Sequence, residues 1–345
     1  MPLVAHTSLP SYEDLRSNGE DVLTLENALH QDIRELHIGF LNMMPDAALR
    51  ATERQFLRLV GNCNQIAQFF VYPFTVPGLS RDADTSEYIK SYYNTFEQLQ
   101  TMGLDALIIT GANVANPTLE QEPFWDPLQD VVEWARENVI SILCSCLSTH
   151  VLVKQLYQID RHLMPQKLWG VYSHRVLEEK HPLLQGINTR FDVPHSRHNR
   201  IQPEALEAAG LTVLIESETG EAHMAVSSDQ FSIVYFQGHP EYDKNSLLKE
   251  YKREVNRYIN GERQDYPPYP EHYFSQAALA IVDQYEQDVY KAQQQGVSVA
   301  PFPEEQIEPH LDNTWGDTGK AIFNNWLGLV YQKADYNRPR LFDSR

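Results

Sequence analysis

The stretch Val139-Ile140-Ser141-Ile142-Leu143-Cys144-Ser145-Cys146-Leu147-Ser148 decides how this chain is read. An apolar run of strand length ends in small residues and a cysteine, and Leu147 to Tyr157 continues with Val151, Leu152 and Leu156 on one helical face. Cys146 therefore falls at a strand-to-helix turn. Such a turn thrusts its side chain out at the carboxyl edge of a sheet, beside the unpaired N–H groups and positive dipole end of the following helix, and both favour a thiolate. Cys144 is expected to point back into the sheet, and Cys63, after Gly61-Asn62, is a weaker candidate still. A thiol nucleophile also needs a base and a group to orient that base, and His239-Pro240-Glu241 supplies both on one short loop. Acyl transfer is the expected chemistry.

Outward from the elbow, strands alternate with helices. Leu36 to Asn42 reads as a strand followed by a helix over Ala51 to Val60; Ala67 to Phe74 and Asp105 to Ala112 read as further strands; Ser80 to Gln100 reads as a surface helix over a loop. A helix over Pro127 to Asn138 leads into Val139 to Cys144. Strands follow at Leu211 to Ile215, Ala222 to Val226 and Phe231 to Gly238, the last delivering His239, and helical spacing resumes over Lys244 to Ile259. Tyr266 to Phe274 is a Pro-rich linker, a polar helix runs to about Gln295, and an aromatic tail carries Trp315, Phe323, Trp326 and Tyr331, which is expected to dock. The domains expected are an N-terminal segment 1–35 packed on the core, a catalytic domain 36–260, and a linker with docked extension 261–345.

With 345 residues, 42% hydrophobic and 22% charged, the chain can bury one large core. Its formal charge of −19 argues against nucleic acid or an anionic membrane as partner, and requires a local basic cluster wherever an anionic substrate binds. Three cysteines are too few for a disulfide framework, Cys-x-Cys alone is poor zinc spacing, and neither a leader nor an 18-residue apolar run is apparent. A cytoplasmic protein without a metal is expected.

These strings together resemble the homoserine O-succinyltransferase (homoserine transsuccinylase) family. The carriers are Asn42-Met43-Met44-Pro45, Thr110-Gly111-Ala112, Cys146, Lys167-Leu168-Trp169-Gly170-Val171-Tyr172, Pro194-His195-Ser196-Arg197, Gly238-His239-Pro240-Glu241-Tyr242-Asp243 and Asn324-Asn325-Trp326-Leu327. The resemblance implies an α/β fold of the flavodoxin-like, class I glutamine amidotransferase-like kind, with a mostly parallel sheet flanked by helices and a C-terminal helical, aromatic extension. It implies Cys146 as the nucleophile that takes an acyl group from coenzyme A, His239 as base and Glu241 as its orienting carboxylate. Arg197 and Arg253 would hold the amino-acid substrate, with Ser196 and Lys167 beside them, and Leu147 and Gly111 are the candidate oxyanion-hole donors. No cofactor is bound permanently; succinyl-CoA, or acetyl-CoA, is a co-substrate, L-homoserine the acceptor, and a homodimer the assembly. At the position where the family carries Glu for acetyl or Gly for succinyl transfer, this chain has Ala115, which leaves room for the longer acyl group.

Two departures stand out. The family's Lys pair after Met-Pro is missing from Pro45-Asp46-Ala47-Ala48-Leu49-Arg50, where Arg50 is the nearest basic residue, and the elbow reads Cys146-Leu147-Ser148-Thr149-His150 instead of Cys-Trp-(Gly/Ala)-x-Gln. They motivate two other readings: the same chemistry on another alcohol such as serine, or a regulatory homologue without turnover; a glutaminase fits least. His195 is expected to be structural, His150, His174 and His198 surface or satisfied core residues, and Trp169 and Trp326 core aromatics.

Overall fold

The computed structural model describes residues 3–63, 67–116 and 118–334; the remainder of the 1–35 and 261–345 segments lies outside them. Nine strands form one sheet: β1 Arg34–Met43, β2 Ala67–Phe74, β3 Ala106–Ala112, β4 Ser141–Ser145, β5 His162–Val176, β6 Arg190–Arg200, β7 Thr212–Ser217, β8 Ala222–Val226 and β9 Ile233–Phe236, in the order β2-β1-β3-β4-β9-β8-β7-β5-β6. The neighbours from β2 through β9 are parallel, and those from β9 to β6 antiparallel. The sheet expected to be mostly parallel is thus parallel over its first five positions only. Those five are buried on both faces, which is why they read as unbroken apolar runs.

The helices cover both faces. On one side, α1 (Pro10–Ser17), α2 (Asp46–Gly61) and the C-terminal helix Gly316–Lys333 share a core in which Phe323 packs on Phe56 and Phe236, and Trp326 donates its indole N–H to Ser141 at 2.8 Å. The aromatic tail is therefore a layer of the sheet domain. On the other side lie Trp125–Asn138 and α3 (Leu147–Tyr157). A third cluster gathers Trp169 and Val171 of β5, α4 (Ser246–Ile259) and the helix Gln276–Gln295. Ser80 to Gln100 holds two helices, Ala83–Tyr92 and Phe96–Met102, because Asp82 and Thr95 each cap a new start.

The strands β5 and β6 were not expected from periodicity. They pair antiparallel over a long register, but β5 carries Pro165, Gly170 and several polar residues, and a register shift separates Leu163 from Leu168. Gly170 is required there: its φ is +152°, and a Cβ would run into the Glu271 backbone, which exchanges hydrogen bonds with Trp169 and Val171. Among the described residues no helix is long and apolar enough to cross a membrane.

Candidate active site

In an open sheet of order β2-β1-β3-β4, ligands are received outside the carboxyl ends of the strands near the point where the order reverses. Cys146 stands at that edge one strand along from the β1/β3 reversal, between β4 and α3, with φ +55° and ψ −111°. A non-glycine residue in this region costs on the order of 1–3 kcal/mol and persists only where its surroundings over-determine it. They do so here: the Cys146 N–H donates to Phe236 O at 2.8 Å, Ser148 Oγ accepts from the Ser145 N–H and donates to Ile109 O, each at 2.9 Å, and Thr149 Oγ1 donates to Phe236 O at 2.7 Å. The elbow is sewn to both neighbouring strands. The small residues that read as merely compact are its fastenings.

Cys146 is half-buried, whereas Cys144 and Cys63 are closed in the core. Burial drives the Cys144 thiol well above its ordinary value and the Cys63 thiol up to about 12, so neither is a thiolate near neutrality. Gly111 lies alongside: a Cβ on it would sit 3.6 Å from Cys146 Cβ and 3.7 Å from Leu147 N. The N–H of Leu147 opens α3 at this point, where an oxyanion would meet a helix N-terminus.

His239 approaches from the loop after β9. Its Nδ1 lies 2.7 Å from Glu241 Oε1, which leaves Nε2 for the Cys146 thiol; its backbone N–H donates to Pro194 O at 2.9 Å, and its ring stacks on Tyr242 at 4.2 Å. Burial by itself would lower the His239 imidazolium, but the Cys146 and Glu241 charges and the hydrogen bonds to both hold it well above the ordinary histidine value. The three predicted residues thus lie together, His239 between Cys146 and Glu241.

Lys167 and Ser196 converge on a residue that sequence reading missed. Glu250, on α4, accepts from Ser196 Oγ at 2.6 Å, Tyr242 OH at 2.8 Å and Trp169 Nε1 at 3.0 Å, and lies 3.4 Å from Lys167 Nζ. Burial would raise its carboxyl, yet Lys167 and these donors hold it below the usual carboxylate range. Arg253, one turn further along α4, is exposed at the rim and lies 3.5 Å from Glu254. The spacing Glu250-x-x-Arg253, which puts both side chains on one helix face, is the signal that could have found Glu250.

Arg197, expected to hold the amino-acid substrate, lies buried within electrostatic reach of Cys146. Neighbours on a strand point to opposite faces, so Ser196 faces Glu250 while Arg197 is buried. Its nitrogens are already engaged, by His195 Nδ1 at 3.2 Å, Asn199 O at 2.8 Å and Glu221 Oε2 at 3.2 Å. Because guanidinium can only donate and the Tyr172 carbonyl can only accept, the chain Arg197 to His195 to His174 to Tyr172 O has one proton order, with both rings neutral. Burial drives His174 down to about 4 and His195 and His223 well below the ordinary value. His195 also floors the catalytic corner, since a Cβ on Gly238 would come within 2.8 Å of its ring. His150 is a core residue and His198 is exposed.

Two loops complete the rim. Ala115 is exposed on the loop after β3, held by Glu122, whose Oε1 accepts the Ala115 and Asn116 N–H groups at 2.7 and 2.6 Å. Beside the turn that lacks the Lys pair, the cation is not Arg50, which lies over the Tyr88 ring, but Arg81, bonded to Met44 O and 3.3 Å from Asp46. Among the described residues no group of three or more His, Cys, Asp or Glu is arranged to hold a metal.

A sequence model of the homoserine O-succinyltransferase family matches residues 2–336. Relatives bearing that name include one from Methylococcus capsulatus, 58% identical over 99% of this chain and 96% of its own; one from Nitrosococcus oceani, 57% identical over 99% and 96%; and one from Allochromatium vinosum, 53% identical over 99% and 96%. Among solved structures, the chain is similar to a glutamine amido transferase from Methylobacillus flagellatus (12% identical, TM-score 0.48, covering 90% of this chain and 100% of that one) and to a glutamine amidotransferase from Thermotoga maritima (11%, 0.46, 87% and 99%).

Proposed function

The chain belongs to the homoserine O-succinyltransferase family, and on that premise we propose that it moves a succinyl group from succinyl-CoA to the γ-hydroxyl of L-homoserine, feeding methionine synthesis. The observation that carries this reading is the Cys146 elbow in contact with the His239–Glu241 pair. In the first half-reaction the Cys146 thiolate attacks the thioester carbonyl, the oxyanion is met by the Leu147 N–H beside Gly111, and CoA leaves with the proton held by His239. In the second, His239 takes the proton of the acceptor hydroxyl as its oxygen attacks the acyl-enzyme, and the Cys146 thiolate is released. Ser196, Lys167 and Glu250 form the polar wall for the amino acid, and the Arg253 guanidinium at the rim takes its carboxylate.

Incubation with succinyl-CoA and a panel of hydroxy amino acids, following free CoA, tests the reading. Homoserine-dependent release is the expected result; release with serine or another alcohol instead would move the acceptor, and none at all would leave a binding protein.

The donor is set by the loop after β3. Alanine at position 115 adds neither bulk nor charge where a distal carboxylate would lie, so succinyl-CoA is favoured over acetyl-CoA. Ala115→Glu is expected to invert this order, by about tenfold or more in the ratio of kcat/KM values, since a like charge beside the succinyl carboxylate costs more than 1.4 kcal/mol in a partly desolvated pocket. A wild-type preference for acetyl-CoA would show that Ala115 does not act in this way.

A further inference from the structure

The chain carries formal charge −19, yet the donor proposed for it is a polyanion, so a local basic surface must exist within reach of Cys146. A cavity of about 450 Å³ between α1, α2 and the start of α4 has that character. Arg54 and Arg58 of α2 line it, with Lys244, Asn245 and Lys249 at the start of α4. Its carboxylates already have donors: Asp243 is paired with Arg58 and bonded by Gln55, Glu20 by Asn62, and Glu308 by Asn245. The Arg54 and Lys249 side chains, by contrast, line it with no ion pair or hydrogen bond among the described residues.

Two stretches of chain run from the cavity lining to the site. Arg50, Arg54 and Arg58 recur every fourth residue on the outward face of α2, about 12 Å along its axis, and α2 begins two residues after Met44, whose Sδ lies beside Gly111. Along the catalytic loop, Lys244 is five residues beyond His239, at most roughly 18 Å of chain, and Arg58 donates to the Glu241 carbonyl at 3.3 Å. A pantetheine arm bridges such a span.

We propose that this cleft receives the phosphate groups of the acyl-CoA donor, with Arg54 and Lys249 as the contacts that are free to take them; the inference rests on the acyl-CoA reading above. It predicts selectivity for the nucleotide end of the donor. The test compares succinyl-CoA with succinyl-pantetheine, which has the same reacting thioester and no phosphates, in the wild type, in Arg54→Glu/Lys249→Glu and in Arg54→Gln/Lys249→Gln. The ratio of kcat/KM for the two donors is expected to fall roughly 10- to 100-fold in the charge-reversed protein and less in the neutral one, as befits the loss of charge-assisted contacts. Adenosine 3′,5′-bisphosphate should compete with succinyl-CoA in the wild type and lose that effect in both variants. An unchanged donor ratio overturns the proposal, as does inorganic phosphate bound at Arg54 and Lys249 with no effect on the ratio. A wild type that turns over succinyl-pantetheine and succinyl-CoA alike sinks only the cleft; one that uses neither sinks the acyl-CoA reading with it.

Discussion

Cys146→Ala is expected to leave no measurable succinyl transfer, a loss of about 10⁴-fold or more, because every later step passes through the thioester that this sulfur forms. Cys146→Ser should fare little better: a hydroxyl in the same elbow is scarcely ionised, and His239 is poised for a thiolate. Cys144→Ala is expected to keep its activity, since that thiol is sealed in the sheet. The elbow adds a second readout. Cys146 holds φ +55° and ψ −111° in every L-residue variant, whereas Cys146→Gly relieves the strain, so the inactive glycine variant should be more stable than the inactive alanine variant by about 1 kcal/mol or more. Thermal unfolding measures this, and intact-mass analysis after mixing with succinyl-CoA locates the acyl group. An adduct on Cys144 or Cys63 would refute the assignment.

The elbow was legible because its signal is local. A two-face-buried parallel strand is an apolar run, the following helix has a clean period, and the cysteine between them has one place to go. The same holds for His239 and Glu241, two residues apart on the loop after β9. The β5–β6 pair was not legible, because half of each strand meets water or other side chains and its polar residues break the alternation that would mark it.

Missed site residues share a different cause. A glutamate on a helix reads as solvated surface, and nothing in the linear order shows that Ser196, Trp169, Tyr242 and Lys167 all turn toward Glu250. Arg81 reaches the Met44 turn from 37 residues away, so the eye stops at Arg50, which is spent on Tyr88. Ser196 and Arg197 are adjacent in the sequence, and alternation along β6 turns them to opposite faces: Ser196 meets Glu250, while Arg197 holds the buried histidine chain within electrostatic reach of Cys146.

His239→Asn is expected to depress both half-reactions, by about 10²–10⁴-fold each, because one imidazole delivers the proton to departing CoA and removes it from the acceptor hydroxyl. Single-turnover measurement separates the two: release of CoA on mixing with succinyl-CoA reports acylation, and loss of the succinyl adduct on adding homoserine reports transfer. The carboxylate should matter less, and in graded fashion. Glu241 makes a single contact to the ring at 2.7 Å, and its second oxygen has no hydrogen-bond partner among the described residues. Glu241→Gln can still accept the Nδ1–H, so it keeps the orientation and forfeits only the charge that favours imidazolium, whereas Glu241→Ala forfeits both. The expected order of loss is therefore His239→Asn, then Glu241→Ala, then Glu241→Gln. If His239→Asn slowed only one half-reaction, a second base would have to serve the other; the neutral His195 and His174, locked between Arg197 and the Tyr172 carbonyl, have no free proton position from which to do it.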